Sequence, residues 1–90
     1  MICKRATIAL TSNSMPVIQR FPSCRVAINP RDHALPHFHV VLNDGREAWV
    51  AIATLEILHG KVALREIADV LDWARCNQIM LANKFEELQQ

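Results

Sequence analysis

The apolar positions of this chain change period once. Between Val17 and Val62 they come in short alternating runs, and from Ala63 to Leu88 they recur every three or four residues. Alternation marks strands with one buried face, whereas the longer period marks an amphipathic helix. The chain therefore reads as a small sheet followed by a helix. Residues 17–21 and 24–29 are extended segments. Pro22-Ser23 lies between them as a turn or bulge, because Pro22 has no N–H to give to a ladder. Residues 30–36 hold two prolines and several turn formers, which makes them a loop.

Residues 37–42 and 46–52 flank Asn43-Asp44-Gly45 and form a β-hairpin. A two-residue Asp44-Gly45 turn would set His39 opposite Val50 and His37 opposite Ile52, mixing imidazoles into the apolar face. A three-residue loop, with Gly45 left-handed and a bulge, moves the register by one and separates the faces. In that register Phe38, Val40, Leu42, Ala48, Val50 and Ile52 line the core face. His37, His39, Val41, Glu47, Trp49 and Ala51 share the other. Trp49 falls opposite His39, as a cover for a second layer or as part of a contact surface.

Residues 55–62 alternate weakly and stop at a glycine, as a short strand and a turn do. Beyond them Leu64, Ile67, Leu71, Ala74, Gln78, Leu81, Phe85 and Leu88 form one stripe, interrupted only by Gln78 and widened by Val70, Trp73 and Met80. Arg65, Glu66, Asp69, Asp72 and Arg75 take the opposite side. A straight helix over 63–88 is about 38 Å long at ~1.5 Å per residue, longer than a small sheet is wide. A bend near Cys76-Asn77, or a protruding end usable as a dimer surface, is expected. The fold class is α+β: a small, mostly antiparallel sheet of three to five short strands, including the 37–52 hairpin, packed on a long C-terminal helix or bent helix pair.

Residues 1–14 end in the polar cluster Thr11-Ser12-Asn13-Ser14, and Met15 follows as a second candidate start. They read as an N-terminal extension or loose arm, with an edge strand over 6–10 as the alternative, and residues 15–90 as one domain. At 90 residues, 51% hydrophobic and 21% charged, the chain has enough apolar surface for one modest core. A net charge of +1 gives no strong overall field toward nucleic acid or anionic lipid and leaves only a local patch open. The three cysteines, Cys3, Cys24 and Cys76, are odd in number and outside any C-x-x-C pattern. That argues against a disulfide framework and a structural zinc site, and for reduced thiols in a cytoplasmic protein. No apolar run approaches the ~18 residues of a membrane span, and the opening residues lack the core of a signal peptide.

Three of the four histidines lie within residues 33–39. His37 and His39 point to one side of a strand with their roots roughly 7 Å apart, given ~3.3 Å per residue. That separation lets two imidazoles converge on a divalent metal such as zinc, with His33 or Asp32 as third ligand and Glu47 assisting, an arrangement that activates water. Without a metal, Asp32 orients His33 or His37 as a general base. The plain alternative is that H-x-H on a strand is structural, since no H-E-x-x-H or cysteine cluster accompanies it. For nucleic acid the candidates are Arg20, Arg25, Arg31, Arg46 and Lys61, scattered until folding brings them together. Gly45 and Gly60 are the only glycines, so no phosphate loop exists, and no serine sits in a G-x-S-x-G elbow.

Met15-Pro16-Val17-Ile18-Gln19-Arg20-Phe21, Arg31-Asp32-His33 and Pro36-His37-Phe38-His39 form a joint pattern. It continues through Thr54-Leu55-Glu56-Ile57-Leu58-His59-Gly60 and Val70-Leu71-Asp72-Trp73-Ala74. In these residues the chain resembles the small prokaryotic domain-of-unknown-function family 4160, from residue 15 to about 88. The resemblance implies a fold and carries no established activity. Genes of this kind frequently neighbour another small gene, as toxin–antitoxin pairs do, which implies a partner protein by analogy. This chain departs from the family in a longer hairpin turn and in Val41 and Ala51, which stand where acidic residues are common. That weakens the enzyme reading for this member.

The leading expectation is a protein-interaction component of a two-gene regulatory or toxin–antitoxin-like module. It would bind a small partner protein or a second copy through Arg31, His37, His39, Glu47, Trp49 and the overhanging helix. The alternatives are a metal-dependent hydrolase, such as a nuclease, with Asp32, His33 and His37 in catalysis and His33, His37 and His39 as ligands, and a nucleic-acid-binding module.

Overall fold

The computed structural model describes residues 16–30 and 35–89. Five strands, β1 (Val17–Arg20), β2 (Cys24–Ala27), β3 (His37–Leu42), β4 (Glu47–Ala51) and β5 (Ile57–His59), pair in chain order as one antiparallel meander. Each connection follows from its local chemistry. Phe21 and Cys24 exchange backbone hydrogen bonds of 2.8 and 3.4 Å around Pro22-Ser23, so the proline sits in the turn, where no donor is needed. In the next hairpin Leu42 N–H donates to the Arg46 carbonyl at 2.8 Å and Gly45 N–H to the Leu42 carbonyl at 3.0 Å, with Gly45 at φ +95°. This is the expected three-residue loop with a bulge, and it sets Phe38 against Val50 and His39 against Trp49.

The two faces separate as the alternation demands. Ile18, Val26, Phe38, Val40, Ala48 and Val50 are fully buried on one face and join Ile67, Val70, Ala74 and Leu81 of the helical segment in a single core. The helical stretch is not one helix. A 3-10 turn over Leu64–Ile67 leads into α1 (Ala68–Cys76), and α2 (Gln78–Leu88) follows after a break at Asn77, where φ is −126° and ψ is 21°. The bend expected near Cys76-Asn77 is therefore present and folds the stripe back over the sheet. Gln78, its polar interruption, donates through Nε2 to the carbonyls of Ile52 at 2.8 Å and Ala53 at 3.1 Å. Those carbonyls lie in the tight β4–β5 connection, where Leu55 takes a left-handed φ of 62°.

Two expectations need correction. Leu64 does not belong to the buried stripe: the tighter 3-10 winding turns it outward to 56% exposure, and Val62 and Ile67 anchor this end instead. Cys24 is a free buried thiol, pushed above its ordinary pKa by burial, but Cys76 is disulfide-bonded, so the thiols are not all reduced. Cys76 ends α1 at an exposed position, where another thiol can reach it, and Cys24 is enclosed by the core. The proposed extension over 1–14 and strand over 6–10 lie outside the described residues.

Candidate functional site

The face of the sheet opposite the helices carries the chemistry. Strand pairing aligns Val17, Ala27, His39, Trp49 and His59 in one row across all five strands, and Arg20, Arg25, Val41 and Glu47 in the next. His37 lies two residues from His39 on the same face, opposite Ala51. Val17, Ala27, Ala51, His37 and His39 are all buried, although the helices pack on the other side.

Trp49 is the hub of an aromatic cluster. Its ring centroid lies 5.2 Å from His37, 5.1 Å from His39 and 4.8 Å from His59, and His37 and His39 are 5.0 Å apart. His37 also meets Phe85 of α2 at 5.9 Å, which ties the cluster to the core around the strand end.

Each buried imidazole is oriented through Nδ1. His37 Nδ1–H donates to the Leu35 carbonyl at 2.6 Å, and His39 Nδ1 is bonded to Oε2 of Glu47. The same carboxylate oxygen accepts the Trp49 indole N–H at 3.1 Å. Burial pushes the Glu47 carboxyl up, but the hydrogen bonds from His39 and Trp49, together with the nearby charge of Arg25, outweigh it and hold the group below its ordinary pKa. Glu47 therefore acts as an ionised acceptor at neutral pH. Pairing of His39 through Nδ1 directs its other nitrogen, Nε2, away from Glu47, and that nitrogen is buried with no hydrogen-bond partner among the described residues. A carboxylate behind an imidazole in this way fixes its tautomer and its orientation.

Of the sequence-derived candidates, the fold brings together His37, His39, Glu47 and Trp49. Arg31, Asp32 and His33 lie outside the described residues. The carboxylate that orients a histidine is Glu47, from the neighbouring strand, and it acts on His39. Among the described residues no group of three or more His, Cys, Asp or Glu side chains is placed to hold a metal ion. His33 and Asp32, the third ligands expected from the sequence, lie outside the described residues. His37 and His39 are 1% and 4% exposed, so a partner would meet Glu47, Trp49 and His59 on this face rather than the two imidazoles.

Sequence reasoning missed His59 and underrated Arg25. The signal for His59 was its place at the end of β5, the residue before the turn glycine, which pairing carries opposite Trp49. Among the scattered cations, Arg46 is taken up by Asp44 at 2.9 Å and Glu66 at 2.7 Å, and it also donates to the Lys61 carbonyl. Arg20 and Arg25 are direct cross-strand neighbours.

The chain matches the family described as domain of unknown function (DUF4160) over residues 25–86. It belongs to that family. The matched span covers β2 to α2 and so contains the histidines of the cluster, Glu47 and Trp49, and it lies within the segment that carries the sequence resemblance. No curated protein and no solved structure matches the chain. No helix among the described residues is long and apolar enough to cross a membrane.

Proposed function

We propose that this domain is a small hydrolase whose working group is the Glu47–His39 pair. The observation that carries the reading is the state of His39: Nδ1 is held by a carboxylate, and Nε2, the proton-accepting nitrogen, has no hydrogen-bond partner among the described residues. A merely structural sheet histidine satisfies both nitrogens or turns one to water. In the proposed reaction Nε2 removes a proton from water while the water oxygen bonds to the electrophilic centre. The ester bond to the leaving group breaks, and the imidazolium returns the proton to the departing oxygen. Glu47 stabilises the imidazolium between the two steps, as a positioning residue. Nε2 is buried in this conformation, so turnover requires that it be uncovered.

The test is hydrolysis of a chromogenic phosphodiester and of a carboxylic ester by the full chain. His39→Ala is expected to lower kcat by at least about 100-fold, and Glu47→Gln to lower kcat with little change in KM. Turnover that survives both substitutions, or absence of turnover on either ester between pH 5 and 9, would overturn the reading.

A second reading, an interaction component of a two-gene module, is supported by a different surface. Ile79 on α2 is 80% exposed and, with Met80, Asn83 and Lys84, borders a groove of about 710 Å³. It predicts that the adjacent gene's product co-purifies with the chain and that Ile79→Asp releases it.

A further inference from the structure

The row beside the His39 pair contains an arrangement that the acid–base reading does not use. Arg20 and Arg25 face each other directly across β1 and β2, on the same side of the sheet as Glu47 and His39. Both are exposed, and neither makes an ion pair with any carboxylate among the described residues, whereas Arg46, Arg75 and Lys84 all do. Like charges set directly opposite one another in a sheet repel at roots ~5 Å apart and destabilise the pairing. Two guanidinium groups so placed reach the oxygens of a single tetrahedral anion, each through parallel N–H donors, and that anion removes the repulsion.

The rest of the face narrows the kind of anion. Arg25 pairs with Val41, which sits two residues from His39 on the same face, so Arg25 is a diagonal neighbour of His39, about 7–8 Å root to root. At the far edge His59 is exposed and lies against the half-buried Trp49 ring at 4.8 Å, presenting a π surface to solvent. From β1 to β5 the face spans about 19 Å, four spacings of ~4.8 Å. Cations that hold phosphate at one edge and aromatic faces at the other form the footprint of a single strand with unstacked bases, with sites as small as about four nucleotides. A poly-acidic peptide would pair with the arginines but has no planar rings to lay against Trp49 and His59, whose own rings are tilted at 44° to each other. A duplex keeps its bases stacked away from a sheet face.

We infer that this face binds single-stranded nucleic acid, with Arg20 and Arg25 holding a backbone phosphate and Trp49 and His59 contacting a base, so that a phosphodiester lies above the buried His39 and reaches Nε2 once that nitrogen is uncovered. This names the substrate class of the acid–base centre and rests on that reading for the chemistry alone; the binding stands on the arginine pair and the Trp49–His59 ring pair.

The experiment is fluorescence anisotropy of the full chain with labelled single-stranded RNA and DNA oligonucleotides of eight nucleotides, across a salt series, with oligonucleotide turnover followed in the same samples. Binding is expected with a slope of log K against log salt of about −0.7, for the one phosphate that the arginine pair neutralises. Arg20→Ala/Arg25→Ala is expected to weaken it at least 10-fold and to flatten the slope. His59→Ala, at an exposed position that spares the fold, is expected to weaken it about 10-fold with the slope unchanged. No anisotropy change at low salt, wild-type affinity in the double-arginine variant, equal competition by inorganic phosphate, or tighter binding of a poly-glutamate peptide would each overturn the inference. Binding without turnover would sustain it and remove the hydrolase reading. Turnover of the small phosphodiester with no oligonucleotide binding would do the reverse.

Discussion

At the scale of single residues, the two glycines do different work. Both have positive φ, +95° at Gly45 and +107° at Gly60. A Cβ on Gly45 would meet nothing within 4 Å, whereas one on Gly60 would lie 2.1 Å from the Glu47 carbonyl oxygen and 2.8 Å from the Ala48 Cα. Gly45→Ala therefore costs only backbone strain, about 1 kcal/mol. Gly60→Ala must also push β4 and β5 apart and is expected to cost more than about 3 kcal/mol. Urea denaturation of the two variants checks the contrast; equal losses would show that the contact at Gly60 is not what selects glycine. The same approach places Gly60 directly behind the backbone of Glu47, so the turn after β5 also positions the carboxylate that orients His39.

At the scale of elements, the break between α1 and α2 is where the sheet and the helices are coupled by polar bonds. Gln78 spans from the start of α2 to the carbonyls of Ile52 and Ala53, which the β4–β5 connection leaves without a ladder partner. Replacing Gln78 with Leu restores the apolar stripe that the helical period asks for and yet strands two carbonyls. Gln78→Leu is thus expected to destabilise the chain by about 1–3 kcal/mol. A stable or stabilised variant in a thermal melt would mean that water serves those carbonyls equally well. The Gln78 side chain was visible in the sequence only as a defect in the pattern. Its purpose depends on a contact 26 residues away, which periodicity does not encode.

At the scale of the whole molecule, the hairpin tip is fastened to the start of the helical segment by a charge cluster. Arg46 bonds Asp44 and Glu66, and Glu66 also accepts the Ala63 backbone N–H at 2.8 Å. The guanidinium of Arg46, helped by that backbone bond, holds the Glu66 carboxyl down at about 2, from an ordinary value of 4.5. A carboxyl whose folded pKa is depressed binds its proton more readily when unfolded. Its contribution to stability is therefore complete above pH 4.5 and lost as pH falls toward about 2. The lowered pKa of Glu47 acts in the same direction. The melting temperature is expected to be level from pH 7 to about 5 and to fall below that. Glu66→Gln should start lower at pH 7 and fall less steeply. Parallel curves for the two proteins would show that the clamp is electrostatically idle.

What the sequence determined by itself was everything that depends on period and on backbone chemistry. The β3–β4 register followed from the need to keep His37 and His39 off the face of Phe38 and Val40, together with a glycine that tolerates positive φ. The helical stripe, its bend near Asn77 and its core residues, Leu64 excepted, followed from 3.6-residue spacing and from a length greater than the sheet. Tertiary structure alone decided which residues became neighbours across strands and loops. It placed His59 against Trp49, selected Glu47 as the partner of His39, set Arg20 opposite Arg25, and committed Arg46 to Glu66. The physical reason is that burial periodicity is a property of one segment read along itself. Cross-strand pairing, hydrogen-bond partnership and charge neutralisation are properties of two segments whose meeting is set by the packing of all the others.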